Sequence, residues 1–322
     1  MKLVILDSYT ENPGDLSWDW LGEVVDEYEI YNNTKPQDVV KRCEDADILV
    51  TNKVPVTREI IEALPKLKYI AVLATGYNII DCTAATERGI AVSNIPSYST
   101  DAVAQLVFAL LLELTQNVAL HSKSVKDGEW SNCEYFCYQK TKLTELSGKT
   151  FGIIGFGKIG SAVAQIANAM NMNTIAYSPN TRKYDGFGRV EFVSLDEVIR
   201  RSDVISVHCP LTDETNKLVN NAFLSKMKPT AFLINTSRGQ VVDEDALAAA
   251  LNEGKIAGAG VDVLSCEPPK KGNPLIGAKN CFITPHIAWA STETRQRLMD
   301  IFRKNVEAFV KGSPINDVTK KI

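Results

Sequence analysis

Three glycines in mid-chain carry the most specific chemistry in this 322-residue sequence. Gly155, Gly157 and Gly160 follow the apolar run Phe151-Gly152-Ile153-Ile154 at the spacing G-x-G-x-x-G, and residues 162–170 continue with a helical pattern. An apolar strand that turns into a helix through such glycines can hold a pyrophosphate. The first glycine permits the turn, the second lets backbone approach the ligand, and the third lets helix and strand pack closely. The N–H groups of the opening helical turn, with Lys158 and Ile159 in it, then receive phosphate oxygens. In NAD sites an acidic residue about 20 positions further on holds the ribose hydroxyls. Here the second strand runs into Ser178-Pro179-Asn180-Thr181-Arg182-Lys183. Ser178 stands where the acid is expected. The hydroxyl, amide and guanidinium groups of Ser178, Asn180, Thr181 and Arg182 suit a 2′-phosphate, which an aspartate would repel. The expected cofactor is therefore NADP(H) in preference to NAD(H), with NAD(H) as the alternative.

Three further segments put polar groups just after apolar runs. Asn235-Thr236-Ser237-Arg238-Gly239 supplies a guanidinium. Gly260-Val261-Asp262-Val263-Leu264-Ser265-Cys266-Glu267 supplies two carboxylates. Thr284-Pro285-His286-Ile287-Ala288-Trp289 supplies one of only three histidines. Each residue alone has an ordinary structural reading: a surface ion pair for Arg238, a solvated turn acid for Glu267, a hydrogen-bonded structural imidazole for His286. Beside a dinucleotide fingerprint, the combination reads instead as a reaction centre. In open α/β sheets ligands bind at the carboxyl ends of strands, and the loops there carry function.

The elements that must position these groups follow from pattern. Short apolar, unalternating runs at 3–6, 48–51, 69–73, 91–93, 174–177, 204–208, 231–235, 259–263 and 282–284 read as buried parallel strands, with helical segments between them. The fold class expected is α/β, built of doubly wound parallel sheets. A weak internal repeat relates residues 40–50 to residues 198–207, each followed by a proline and a threonine. It sets the loop Ala74-Thr75-Gly76-Tyr77 opposite Thr236-Ser237-Arg238-Gly239, so two related units are expected to turn these loops toward one cleft.

Composition narrows the partners. A formal net charge of −4 gives no reason to expect nucleic acid as a partner. The apolar start at 3–6 is too short for a signal peptide, and the greasiest helix, around 103–114, contains Gln105 and Glu113 and is too short to span a bilayer. No membrane partner is expected. Seven cysteines without framework spacing predict free thiols and a cytoplasmic location. Cys133 and Cys137 form a C-x-x-x-C pair, but no second ligand pair lies nearby, so no metal is expected.

Over nearly its whole length the chain resembles the D-isomer-specific 2-hydroxyacid dehydrogenases, and especially glycerate dehydrogenases and hydroxypyruvate or glyoxylate reductases. The resemblance rests on Asn94-Ile95-Pro96 with Val103-Ala104-Gln105, on residues 152–160, 235–239 and 260–268, and on Pro285-His286-Ile287-Ala288. It implies a Rossmann coenzyme domain, 99–291, inserted in a flavodoxin-like substrate domain formed by 1–98 and 292–322. It also implies a homodimer, with the coenzyme domain and the segment around 99–150 at the interface. The implied reaction is hydride transfer between NAD(P)H and C2 of a small 2-keto acid, hydroxypyruvate or glyoxylate, giving D-glycerate or glycolate. Alternatives are D-lactate or another D-2-hydroxyacid, or a nicotinamide-sensing corepressor-type binding protein. By resemblance, His286 is the acid in reduction, Glu267 orients it and stabilises the imidazolium, and Arg238 grips carboxylate and carbonyl oxygens. Main-chain N–H groups of Thr75, Gly76 and Tyr77 complete the carboxylate site. Asp262 contacts the nicotinamide amide, Cys209, Pro210, Thr236 and Ser237 line the ribose and nicotinamide, and Val103 packs near the ring. Trp289, three residues beyond His286, has two readings: a residue that narrows the pocket toward small acids, or a packing residue.

Overall fold

A computed structural model describes residues 1–179 and 189–321. The chain divides into two compact units, Met1–Ser99 with Ala290–Ile322, and Thr100–Trp289.

In the first unit, β1 (Lys2–Ile5), β2 (Glu27–Ile30), β3 (Ile48–Thr51), β4 (Tyr69–Val72) and β5 (Ala91–Ser93) form a parallel sheet in the order β2-β1-β3-β4-β5. This is the flavodoxin-like order, with its switch point between β1 and β3. The central strands β3 and β4 are buried at every residue, which is why they read as continuous apolar runs. The strand β2 was not expected from the sequence. It lies at the sheet edge, and its residues Glu-Tyr-Glu-Ile are exposed or only half-buried, so no apolar run marks it.

The helix Thr292–Val310 packs onto this same unit. Ser291 caps it by accepting the Thr294 N–H, and its Leu298, Met299, Phe302 and Val306 face inward. Phe309 stacks on Tyr69 with ring centroids 4.4 Å apart. Arg295 holds Asp15 with two bonds, at 2.7 and 2.6 Å, and donates to the Glu11 carbonyl.

The loop after β1 is tied to the end of β3 by buried acids. The Asp7 carboxylate accepts the N–H groups of Asn52, Lys53 and Val54. Glu11 accepts from the Asn52 amide, and its second oxygen is buried without a partner. Burial, aided by the nearby Asp7 charge, pushes the Glu11 carboxyl from its ordinary 4.5 up to about 8. Burial also raises Asp7. A folded chain that keeps a proton the unfolded chain has released loses stability as pH rises from about 4.5 through about 8. Glu11→Gln keeps the neutral shape of the acid and removes the titration. Denaturant unfolding at about pH 6 and about pH 9 is expected to show the variant gaining on the wild type by a few kcal/mol between the two, since each pH unit in that window costs the wild type up to about 1.4 kcal/mol. An unaltered pH slope contradicts the assignment.

In the second unit, β6 (Thr150–Ile154), β7 (Asn173–Tyr177), β8 (Val190–Phe192), β9 (Val204–Val207), β10 (Phe232–Asn235), β11 (Gly258–Val261) and β12 (Cys281–Ile283) form a parallel sheet in the order β12-β11-β10-β9-β6-β7-β8. Read from the first strand of the unit, this is the Rossmann order with one further strand. Successive strand residues feed opposite faces. Phe151, Ile153, Val204 and Ile234 pack with the helices Thr100–Gln116 and Lys158–Ala169. Ile154, Ile205, Val207 and Leu233 pack with Leu195–Arg201 and Glu244–Asn252. The unexpected strand here is β8, again an edge, with the sequence Val-Glu-Phe and no fully buried residue.

The two segments of the internal repeat occupy corresponding places. Each runs from a short helix, Val39–Cys43 or Leu195–Arg201, into the strand beside the first of its sheet, β3 or β9. Among the described residues no single helix is long and apolar enough to cross a membrane.

Candidate active site

The glycine turn is built by close approach. Gly155 has φ +94, and a Cβ there would stand 2.6 Å from the Cys209 nitrogen and 2.7 Å from the His208 carbonyl carbon. Only glycine allows β6 to end against the segment that follows β9. At Gly160 a Cβ would lie 2.4 Å from the Gly155 oxygen, so the helix start sits on the strand end. Gly157, in contrast, faces open space with nothing within 4 Å of a would-be Cβ. It occupies the N-cap of the helix Lys158–Ala169 without any side-chain cap bond. The result is a backbone cradle over a helix N-terminus, which fits a pyrophosphate. Below it, His208 bonds Ser206 Oγ at 2.8 Å, and burial pushes its imidazole down to about 4, so it stays neutral. Cys209 is buried and its thiol is raised by burial, while Pro210 is exposed.

The three strands β10, β11 and β12 lie side by side and deliver the polar groups. After β10, the buried Asn235 organises the turn. Its Oδ1 accepts the Ser237 N–H and hydroxyl, and its Nδ2 donates to the Arg238 carbonyl. Arg238 is exposed, with Nη1 donating to the Ser237 carbonyl at 2.7 Å. The Thr236 hydroxyl in the same turn is buried without a partner, an unspent donor in the segment expected to line the coenzyme. Gly239 then meets the chain after β11: a Cβ would fall 1.9 Å from the Leu264 carbonyl carbon. That contact sets the arginine turn directly against the turn that carries Glu267.

Glu267 is fixed at one oxygen, where Oε1 accepts the Leu264 N–H at 3.0 Å. Its other oxygen, Oε2, lies 2.7 Å from His286 Nδ1. With Nδ1–H donating to the carboxylate, Nε2 is the ring nitrogen left for a further partner. The His286 backbone is left-handed, φ 54. A branchless glycine would be easier there, so the histidine is held in that region by its surroundings. Asp262 supplies the constraint. Its carbonyl accepts the His286 N–H at 2.8 Å. Its carboxylate accepts Thr284 Oγ1 at 2.6 Å, the Ile287 N–H at 2.9 Å and the Ala288 N–H at 2.8 Å. Burial raises the Asp262 carboxyl. With three acceptor positions used, one lone pair remains for an amide donor.

The structure thus brings Arg238, Asp262, Glu267 and His286 to adjacent strand ends of one sheet. Ser178 follows β7 in the same unit. Val103 is buried in the helix Thr100–Gln116. Asn180, Thr181 and Arg182 lie outside the described residues. Thr75, Gly76 and Tyr77 follow β4 in the first unit and are at least partly exposed. Sequence reasoning assigned no role to Asn235 or Thr284. The signal for Asn235 was legible: an asparagine ending an apolar run with a serine two residues on is an Asx turn. Nothing local marked Thr284.

The NAD binding domain of the D-isomer specific 2-hydroxyacid dehydrogenases matches residues 108–288. A hydroxypyruvate reductase from Blautia hydrogenotrophica is 47% identical over 323 residues, covering 99% of this chain and 100% of its own. A glycerate dehydrogenase from Methylorubrum extorquens is 42% identical over 295 residues, covering 91% and 92%. Among solved structures, an acyclic imino acid reductase in complex with NADPH and D-Arg superposes with a TM-score of 0.85 at 33% identity, covering 99% of this chain and 100% of that one.

Proposed function

Because the chain belongs to the D-isomer specific 2-hydroxyacid dehydrogenases, we propose that it reduces the C2 carbonyl of hydroxypyruvate or glyoxylate, forming D-glycerate or glycolate. The observation that carries the chemistry is the His286–Glu267 pair, 2.7 Å apart on a left-handed backbone pinned by Asp262. The names of the relatives, hydroxypyruvate reductase and glycerate dehydrogenase, support the substrate class.

When bound, the reduced nicotinamide supplies the hydride that C2 receives. The turn at Gly155, Gly157, Lys158, Ile159 and Gly160 would hold its pyrophosphate. Cys209, Pro210, Thr236, Ser237, Asp262 and Val103 would line the ribose and ring. As negative charge grows on the substrate oxygen, His286 Nε2 delivers a proton to it. Glu267 keeps the other nitrogen protonated and stabilises the imidazolium just before transfer. The Arg238 guanidinium offers a fork of donors to the keto oxygen and one carboxylate oxygen. Main-chain N–H groups of Thr75, Gly76 and Tyr77 take the rest of the carboxylate. Trp289, three residues beyond His286, narrows the pocket and favours small acids.

NADPH is the preferred reductant, because Ser178 replaces the ribose-binding acid and Asn180, Thr181 and Arg182 follow it. The protein works as a homodimer joined through the coenzyme domain and the segment around 99–150. There Val118, Trp130, Tyr135 and Phe136 are each more than half exposed, Phe136 at 89%. Such a concentration of exposed apolar groups marks an interaction surface.

One assay series tests this reading. NADPH and NADH oxidation are followed with a panel of 2-keto acids, and the mass of the same sample is read by light scattering. The expected result is turnover of hydroxypyruvate and glyoxylate, kcat/KM about tenfold or more higher with NADPH, a margin of ~1.4 kcal/mol, and a dimer mass. Tight coenzyme binding with no turnover of any keto acid would instead identify a nicotinamide sensor. A clear NADH preference overturns the coenzyme assignment, and a monomer mass overturns the dimer.

A further inference from the structure

We infer that Asn94 is a positioning residue for substrate, setting the direction of the N–H groups at Thr75 and Gly76 that take the carboxylate. This rests on the dehydrogenase reading above and goes beyond it to a residue outside the reacting groups.

The argument starts from peptide geometry. The only cis bond in the described chain is Glu267-Pro268, so the peptides at 74–75 and 75–76 are trans. In a planar trans peptide the C=O and N–H point in opposite directions. Fixing a carbonyl therefore fixes where the next N–H points. The Ala74 carbonyl accepts the Ile95 N–H at 3.0 Å. The Thr75 carbonyl accepts Asn94 Nδ2 at 2.7 Å, and Thr75 Oγ1 donates to the Ile95 carbonyl at 2.8 Å. A regular strand alternates its carbonyls from side to side. Here two consecutive carbonyls turn to the same segment, 94–95. The N–H groups of Thr75 and Gly76 must then both turn away from it. Neither these two nor the Tyr77 N–H has a hydrogen-bond partner among the described residues. They form a partly exposed row of donors, which suits a carboxylate.

The bond that sets Gly76 comes from a side chain, and that side chain is itself held. Asn94 is 9% exposed. Its carbonyl accepts Nδ2 of Asn305, a fully buried residue of the helix Thr292–Val310. Asn305 Oδ1 accepts the Asn316 amide at 2.8 Å, and the Asn94 N–H donates back to the Asn316 carbonyl. The Ser93 hydroxyl closes the set on the Ile315 carbonyl at 2.6 Å. A chain of three asparagines thus runs from the C-terminal segment to the Thr75 carbonyl. An amide suits the role because it donates at Nδ2. A carboxylate of the same shape would face the carbonyl with an acceptor.

The test uses the full-length protein with coenzyme. Asn94→Ala is expected to raise KM for the keto acid and the dissociation constant of oxalate, read by calorimetry, by about tenfold, the scale of one lost hydrogen bond. kcat and coenzyme affinity should stay within about twofold. Asn94→Asp should be equally impaired near pH 8 and should approach the wild type as pH falls toward 5, because only the protonated acid regains a donor. A merely structural role would not produce that pH trend, and the trend decides the matter if the alanine variant fails to fold. Unchanged oxalate affinity in folded Asn94→Ala, or a pH-independent defect in Asn94→Asp, overturns the inference. Failure of the dehydrogenase reading looks different. Wild-type protein would then turn over no keto acid, and oxalate binding that still depends on residue 94 would leave this inference standing.

Discussion

Replacing His286 by alanine is expected to lower kcat by about 10²–10⁴-fold, the usual share of a positioned acid–base group. Coenzyme affinity should stay within about twofold. The geometry makes the experiment clean. Four bonds from Asp262 hold the turn at residues 284–288, and none involves the imidazole. Alanine keeps the Cβ that His286 already places on a left-handed backbone at φ 54, so the turn gains no new strain. What disappears is the ring and its 2.7 Å bond to Glu267. Single-turnover kinetics with coenzyme binding followed by fluorescence separate the two effects. Wild-type turnover in this variant would remove His286 from the mechanism and with it the role given to Glu267. His208 cannot stand in, since burial holds it at about 4 and its Nε2 is engaged by Ser206.

Arg238→Ala should lower kcat/KM for the keto acid by about 10²-fold or more, the loss that follows when one partner of a desolvated charge pair is removed. The thermal midpoint should move by only a few degrees. Stability and function separate here because the turn does not depend on the guanidinium. Asn235 organises the backbone, and Gly239 seats it against Leu264. The guanidinium contributes a bond to the adjacent Ser237 carbonyl. Arg238→Lys restores charge without the planar fork and should recover only part of the loss. Steady-state kinetics against the keto acid, with coenzyme affinity as control, checks the set. An equal loss of coenzyme and substrate affinity would place Arg238 in the coenzyme site alone.

The parts of this protein legible in sequence are those whose physical cause is local. Residues 151–160 announce a strand, a turn and a helix start because each needs its own residue types in order. The central strands are visible because burial on both faces demands unbroken apolar runs. The edge strands Glu27–Ile30 and Val190–Phe192 were not visible, since one neighbour and much water leave room for glutamate. The candidate site divides the same way. Arg238, Glu267 and His286 stood out because each follows a strand in a fold where strand ends bind ligands.

By itself, then, the sequence determined the sheet-and-helix alternation, the phosphate-binding turn and the identity of the groups proposed to meet substrate. Only the tertiary structure decided how they are held. The His286 ring pairs with Glu267 across 19 residues, Asp262 is the pin of the histidine turn, and Asn305 steadies Asn94 across 211. The reason is physical. Turn chemistry is set by adjacent residues, whereas a hydrogen bond between distant side chains exists only after strand register has fixed where each one points.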